Sequence, residues 1–264
     1  MKLRIFLLLL MMNAQAYGAS FDAPLEIRRM DLGQSQTSPS SRDEVTCFYF
    51  DKFMVKQIDL SEKGAAQLSI LRFSKNAKRP ACQKKNVTQE MIVDSEGWIG
   101  YFKGVKSHYV FFDADDGWNG AMFFAVFDAN TGKKVFSDAA VGDIDLIEKS
   151  AKVGLRYGRA YLAPCALLAE GKDCWEKVMS ATGIRDMHAP DCVTGYRKSK
   201  RDWAHTRCDD ESDYLACFQK EMNSAQFQEV DTSKAMLEYP VEILDLSAPA
   251  PQPLGTATAC WPPS

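Results

Sequence analysis

The sequence predicts an α+β fold: an antiparallel β-meander, a C-terminal helical insert and a returning edge strand, stapled by disulfides. Three observations predict it. Residues 109–138 read YVFFDADDGWNGAMFFAVFDANTGKKVFSD, where aromatic and β-branched runs are separated by Asp, Asn and Gly, the pattern of successive hairpins. After Ala163 the apolar spacing changes from two to three or four, as helices require. Residues 237–246 then return to alternation, with Leu237, Tyr239, Val241 and Ile243 on one face and Glu238 and Glu242 on the other.

Taken in order, residues 1–16 (MKLRIFLLLLMMNAQA) combine basic Lys2 and Arg4, an apolar stretch over 5–12 and the small-x-small run Ala14-Gln15-Ala16. That is the pattern of a secretory signal peptide. The stretch is far short of the ~20 residues that span a bilayer, so export without a transmembrane segment in the mature chain is expected. Residues 17–44, with QSQTSPSS at 34–41, read as a flexible leader. Residues 45–264 read as a single domain, with the sheet over 45–162, the helical part over 163–225, and the edge strand and tail over 237–264. Within the sheet, strand character appears at 45–50, 53–60, 67–73 and 99–105. It continues in the runs 109–112, 121–127 and 134–136, a short strand over 143–147 and a half-buried strand over 152–162. Residues 122–127 are apolar at every position, which predicts a central strand covered on both faces.

In the helical part, residues 165–168 and 173–181 have helical character. Trp175, Val178 and Met179 form one apolar stripe, and Gly183 is placed to end the helix. A more polar helix is expected over 192–207. Asp209, Asp210 and Glu211 would supply acid to the first turn of another, on which Tyr214, Phe218 and Met222 share a face. Pro240 lacks an N–H, which places the returning strand at a sheet edge. No internal repeat marks a propeller or solenoid.

The chain has 264 residues, of which 46% are hydrophobic and 11% aromatic, enough for a true core and inconsistent with disorder. Loss of residues 1–16 removes Lys2 and Arg4 and no acid, so the formal charge of -3 becomes about -5. That gives no general attraction to nucleic acid. All eight cysteines follow residue 16, and an even count behind an export signal reads as disulfides. Eight cysteines allow about 105 pairings. Local structure suggests Cys47–Cys82, Cys165–Cys260, Cys174–Cys192 and Cys208–Cys217. No two cysteines lie closer than nine positions, unlike the close pairs of structural zinc sites.

Asp113, Asp115, Asp116, Trp118 and Asn119 form the candidate ligand-binding set. The oxygens suit a hard cation, but Gly117 arrives one position early for a calcium loop and the distal Glu is missing. The expectation is an Asp/Gly-rich turn with no metal, and no cofactor motif or glycine-rich phosphate loop is present. Arg197, Lys198, Lys200 and Arg201, near Tyr196 and Trp203, form a basic cluster that reads as a solvated helix face with aromatics turned inward. His108, His188 and His205 lack the helical spacing of a zinc hydrolase. His188 lies near Asp191 in a loop. No G-x-S-x-G elbow is present. Asn86-Val87-Thr88 fits a glycosylation acceptor that matters only in a eukaryotic secretory route. Among the five tryptophans, Trp118 alone sits in a polar turn; the others read as core.

The run FDADDGWNGAMFFAVFDANTGKKVFSD, the Cys165–Cys174 spacing followed by Trp175, and the ending Tyr239-Pro240-Val241-Glu242 with Cys260-Trp261-Pro262 resemble a group of exported bacterial proteins with no assigned activity. The resemblance covers roughly residue 101 to the C-terminus. It implies a bacterial envelope or secreted setting and carries over no catalytic residue. With export, disulfides and no catalytic constellation, the expectation is a periplasmic or secreted non-enzymatic protein that binds another envelope component or a host molecule. The alternative is a carboxylate-dependent hydrolase using Asp115 and Asp116, which requires an acidic cleft around them.

Overall fold

The computed structural model describes residues 19–61, 64–93, 100–118, 120–186, 188–257 and 259–262, with the backbone alone at 115, 116, 118, 226 and 228. The export segment 1–16 lies outside the described residues. Two antiparallel sheets carry the fold, both meanders in chain order. The small sheet comprises β1 (Glu26–Gln34), β2 (Arg42–Tyr49), β3 (Phe53–Asp59), β4 (Gln67–Arg72) and β5 (Glu90–Ile92). The large sheet comprises β6 (Gly100–Lys106), β7 (Tyr109–Trp118), β8 (Ala121–Asp128), β9 (Lys134–Lys149), β10 (Lys152–Leu162) and β11 (Met236–Ile243). The short β12 (Gln252–Pro253) and β13 (Ala259–Trp261) complete it on the outer side of β11. Between β10 and β11 run α1 (Leu167–Glu170), α2 (Lys172–Thr182), α3 (Cys192–Cys208), α4 (Tyr214–Met222) and α5 (Ala225–Val230).

The antiparallel α+β class therefore holds, while the single sheet expected over 45–162 is two. The reason lies in strands that are apolar on both faces. β7 sends Val110 and Phe112 to one side, against Phe53, Val55, Leu68 and Ile70 of the small sheet. Tyr109 and Phe111 go to the other side, into a core shared with Leu155, Tyr157, Tyr239 and the helical Trp175, Val178 and Tyr196. Aromatic contacts join the two sheets, as in Phe48–Phe102 at 4.5 Å and Phe50–Phe102 at 6.4 Å between centroids. β8 is central, between β7 and β9. Residues 124–127 are buried on both faces, yet Met122 (37%) and Phe123 (42%) at its start remain exposed.

The leader is also corrected. Residues 26–34 are β1, paired along β2 from Glu26↔Tyr49 to Gln34↔Arg42. Upstream, Ala19 bridges Leu146, and the Phe21 ring meets Phe111 at 5.2 Å. Phe21 reaches the sheet because Gly104 has no side chain: a Cβ there would lie 2.5 Å from the Phe21 ring. Polar composition concealed this segment because an edge strand needs only one covered face. The separate runs at 134–136 and 143–147 are one 16-residue strand, β9. Its register slips between Val141 and Asp145, where Gly142 takes φ +73°, as a bulge permits.

The helices follow the expected stripes. Trp175 and Val178 are buried and Gly183 ends α2 in the left-handed conformation. Asp191 caps α3 by accepting from Thr194 N at 3.1 Å. Asp213, and not the 209–211 run, caps α4 through Ala216 N. The helical part runs past 225 to the end of α5. β11 returns beside β10 with Leu237, Tyr239, Val241 and Ile243 all fully buried. It is not the outermost strand, because β12 and β13 cover parts of its outer side. Leu254 N donates to Pro240 O at 2.9 Å, so Pro240's missing N–H also points outward, beside the short pieces and away from the β10 ladder.

Four disulfides are present and none of the eight cysteines is free. Cys47–Cys82 and Cys208–Cys217 are paired as anticipated. The other two suggested pairs are replaced by Cys165–Cys174 and Cys192–Cys260. Gly171, at φ +58°, ends α1 and starts α2, and this turn brings Cys174 within 5.7 Å (Cα–Cα) of Cys165. Cys192, in the first turn of α3, is then left facing β13.

Candidate functional site

The sequence-derived candidates are dispersed by the fold. The segment holding Asp113 and Gly117 is not a turn. It belongs to β7, which bulges between Asp113↔Phe124 and Gly117↔Met122. The reversal follows at Gly120, with φ +76°. Asp113 is ion-paired with Lys103. The side chains of Asp115, Asp116 and Trp118, and all of Asn119, lie outside the described residues. Among the described residues, no three His, Cys, Asp or Glu side chains converge as metal ligands would.

On α3, Lys200 pairs with Asp231 at 2.6 Å, while Arg197, Lys198 and Arg201 are exposed. Tyr196 is buried and donates to Ser233 O at 3.0 Å, whereas Trp203 is partly exposed beneath Arg207. His188 and Asp191 are not brought together: His188 is 94% exposed beside Asp186, and Asp191 serves the α3 cap.

A large cleft lies elsewhere, at one end of the small sheet. It encloses about 1070 Å³, at the upper end of small-molecule sites. One wall is the turn before β3 and the end of β4, which supply Lys52, Phe53, Leu71, Arg72, Phe73 and Lys75. The 77–91 segment and the β8–β9 turn at Ala129 and Asn130 complete the lining. Lys52 O accepts from Phe73 N at 2.9 Å, so the turn before β3 lies beside the end of β4. Arg72 donates through Nη1 to Asn130 O at 2.7 Å. A neutral carbonyl orients the guanidinium without cancelling its charge, and most of its five donors stay available. Lys75 pairs with Asp51 at 2.8 Å. That bond holds the Asp51 carboxyl below its usual range, with Lys52 and Arg79 adding to the effect. No carboxylate lines the cleft among the described residues.

A loop of this length needs anchors, and the 73–89 segment has several. Cys82 is tied to Cys47. Arg79 pairs with Glu26 at 2.6 Å, and Pro80 O accepts from the buried Tyr49 hydroxyl at 2.8 Å. Beneath the loop, Lys56 and Glu90 form an ion pair at 2.5 Å with both side chains 2% exposed. Lys56 also donates to Asn86 Oδ1 at 2.8 Å, and Glu90 accepts from Ser69 Oγ and from Val87 N at 3.0 Å. A charge pair taken out of water is tolerated when its remaining hydrogen-bonding positions are filled, as here. Asn86 of the glycosylation-like tripeptide is therefore occupied in supporting the loop.

Sequence reading missed this site. Its signal was present: residues 72–85 carry Arg72, Lys75, Lys78, Arg79, Lys84 and Lys85, and no acid appears until Glu90, in a chain that is acidic overall. Fold and site together define a disulfide-bonded two-sheet α+β protein with a cationic cleft. Compared with protein-family models, curated proteins and solved structures, the chain matches none of them.

Proposed function

We propose that this chain is an exported, non-enzymatic binding protein of the periplasm or extracellular space, and that the cationic cleft receives an anionic group of its envelope or host partner. The observation that carries the reading is Lys52 and Arg72, two cations in the cleft lining with no carboxylate partner among the described residues, beside a loop held by a disulfide and a buried ion pair. The four disulfides suit an oxidising compartment. No described helix is long and apolar enough to cross a membrane. The N-terminal export pattern and the resemblance to exported bacterial proteins support the same setting. The carboxylate-hydrolase reading gains no support from the cleft, which is basic and does not include Asp113.

Two outcomes test this. Mass spectrometry of the mature protein is expected to find its N-terminus between Tyr17 and Phe21; a retained Met1 in a membrane fraction would contradict export. For the cleft, pyrophosphate, a sulfated polysaccharide and anionic vesicles are titrated against the wild type and Lys52→Ala/Arg72→Ala. At least one anion is expected to bind, more weakly as salt rises, and to lose roughly tenfold or more in affinity in the variant, since charge-assisted hydrogen bonds to an anion exceed ~1.4 kcal/mol. Absence of binding by every anion, or equal binding by the variant, would remove the reading.

A further inference from the structure

Two features of the cleft exceed what a single anion needs. Its lining crosses the end of the small sheet. Phe53 lies in the apolar layer between the sheets, and Met91 packs against that layer. Leu71 and Phe73 belong to the cluster on the other face. Successive side chains of β4 alternate between faces, so Arg72 is on the same side as Ile70 and Leu71 on the other. A ligand that meets both sides and occupies about 1070 Å³ is an extended molecule.

The polar groups of the lining are also dispersed and unengaged. Ser74, Gln83, Gln89 and Asn130 stand among its apolar residues. Among the described residues, none of these four side chains makes a hydrogen bond. Lys52 has no ion pair, and Arg72 meets only the Asn130 carbonyl. Outside the lining, Lys78, Lys84 and Lys85 of the same loop are exposed and without an ion pair among the described residues.

Cations alone would suit any polyanion. A hydroxyl or a side-chain amide both donates and accepts, so these four groups interleaved with cations match a chain that carries hydroxyls between its charges. A single-stranded nucleic acid would call for aromatic faces to stack its bases. Here Phe53 is buried and Phe73 is half-buried.

We infer that the ligand is an acidic polysaccharide laid across the end of the small sheet. Its carboxylate or sulfate groups meet Lys52 and Arg72, and its hydroxyls meet Ser74, Gln83, Gln89 and Asn130. This rests on the anion-binding reading above and names the ligand class.

Calorimetry on the mature disulfide-bonded protein compares galacturonate, its hexamer, dextran sulfate, polyphosphate and a single-stranded oligonucleotide. The hexamer or dextran sulfate is expected to bind at least tenfold more tightly than galacturonate, because one further charge-assisted hydrogen bond is worth about that factor. The tighter of the two assigns the anionic group as carboxylate or sulfate. Gln83→Ala/Gln89→Ala is expected to weaken that polysaccharide about tenfold. The same variant should leave polyphosphate binding and the melting temperature unchanged, since neither amide bonds to the protein.

The inference is overturned if galacturonate binds as tightly as both polymers. It is also overturned if the glutamine variant leaves the polysaccharide unaffected, or weakens polyphosphate and the oligonucleotide to the same degree. If pyrophosphate still binds through Lys52 and Arg72 in that case, the anion-binding reading stands alone. If no anion binds, both fall.

Discussion

Glu90→Ala is expected to destabilise the protein by roughly 3–5 kcal/mol, the range for breaking a buried ion pair. It would leave the Lys56 ammonium 2% exposed, with Asn86 Oδ1 as its remaining acceptor. It would also remove the acceptor of Ser69 Oγ and Val87 N. Much of the loss is the cost of an unpaired buried charge and not the net value of the pair. Lys56→Met/Glu90→Gln is therefore expected to recover most of it: the charge is gone, the Gln amide oxygen can accept from Val87 N, and its NH2 can donate to Ser69 Oγ. Urea denaturation of the two variants decides the matter. If the double variant is as unstable as Glu90→Ala, the unpaired charge is not the cause. Because Val87, Gln89 and Met91 line the cleft, Glu90→Ala should also weaken ligand binding, which couples the stability of this pair to the site.

Replacing Cys192 and Cys260 together by Ala is expected to lose about 4.4 kcal/mol, and replacing Cys165 and Cys174 about 2.6 kcal/mol. The chain-entropy relation yields these values for closed loops of 68 and 9 residues. For a chain of this size the larger loss corresponds to roughly 10 °C in melting temperature. Cys192–Cys260 joins the first turn of α3 to β13, and β13 is only three residues long, paired to Met236, Leu237 and Glu238. The close approach depends on Gly195: a Cβ there would lie 1.7 Å from Cys260 O. Gly195→Ala should therefore act at the same junction, forcing α3 away from the tail even with the disulfide intact. Chemical denaturation of the two Cys pairs checks the order. Equal losses from the 9- and 68-residue loops would show that loop entropy is not the governing term.

The correspondence between sequence and structure follows the range of the interactions. Trp175, Val178 and Gly183 specify α2 within a few residues of one another, and the alternation of Leu237, Tyr239, Val241 and Ile243 specifies β11 as a strand with one buried face. The Cys208–Cys217 bridge was legible for the same reason: both ends belong to one local α3–α4 connection. The cationic segment 72–85 was also written in the chain, although charge runs on a surface are common and only its position at a cleft makes it a candidate site.

By itself, then, the sequence determined the antiparallel α+β class, the strands and helices with strong periodicity, the even cysteine count and the export pattern at the N-terminus. Only the tertiary structure decided that the strands divide into two sheets, because Phe112 and Phe111 are equally apolar and periodicity cannot say what covers each face. It alone decided that residues 26–34 are a strand, since β1 owes its structure to the β2 ladder more than to its own composition. It alone chose Cys165–Cys174 over Cys165–Cys260, through the turn at Gly171. And it alone brought Lys52, Arg72 and Met91 to one cleft, because strand pairing and the contact of Met91 with the β8–β9 turn join residues that the chain keeps far apart.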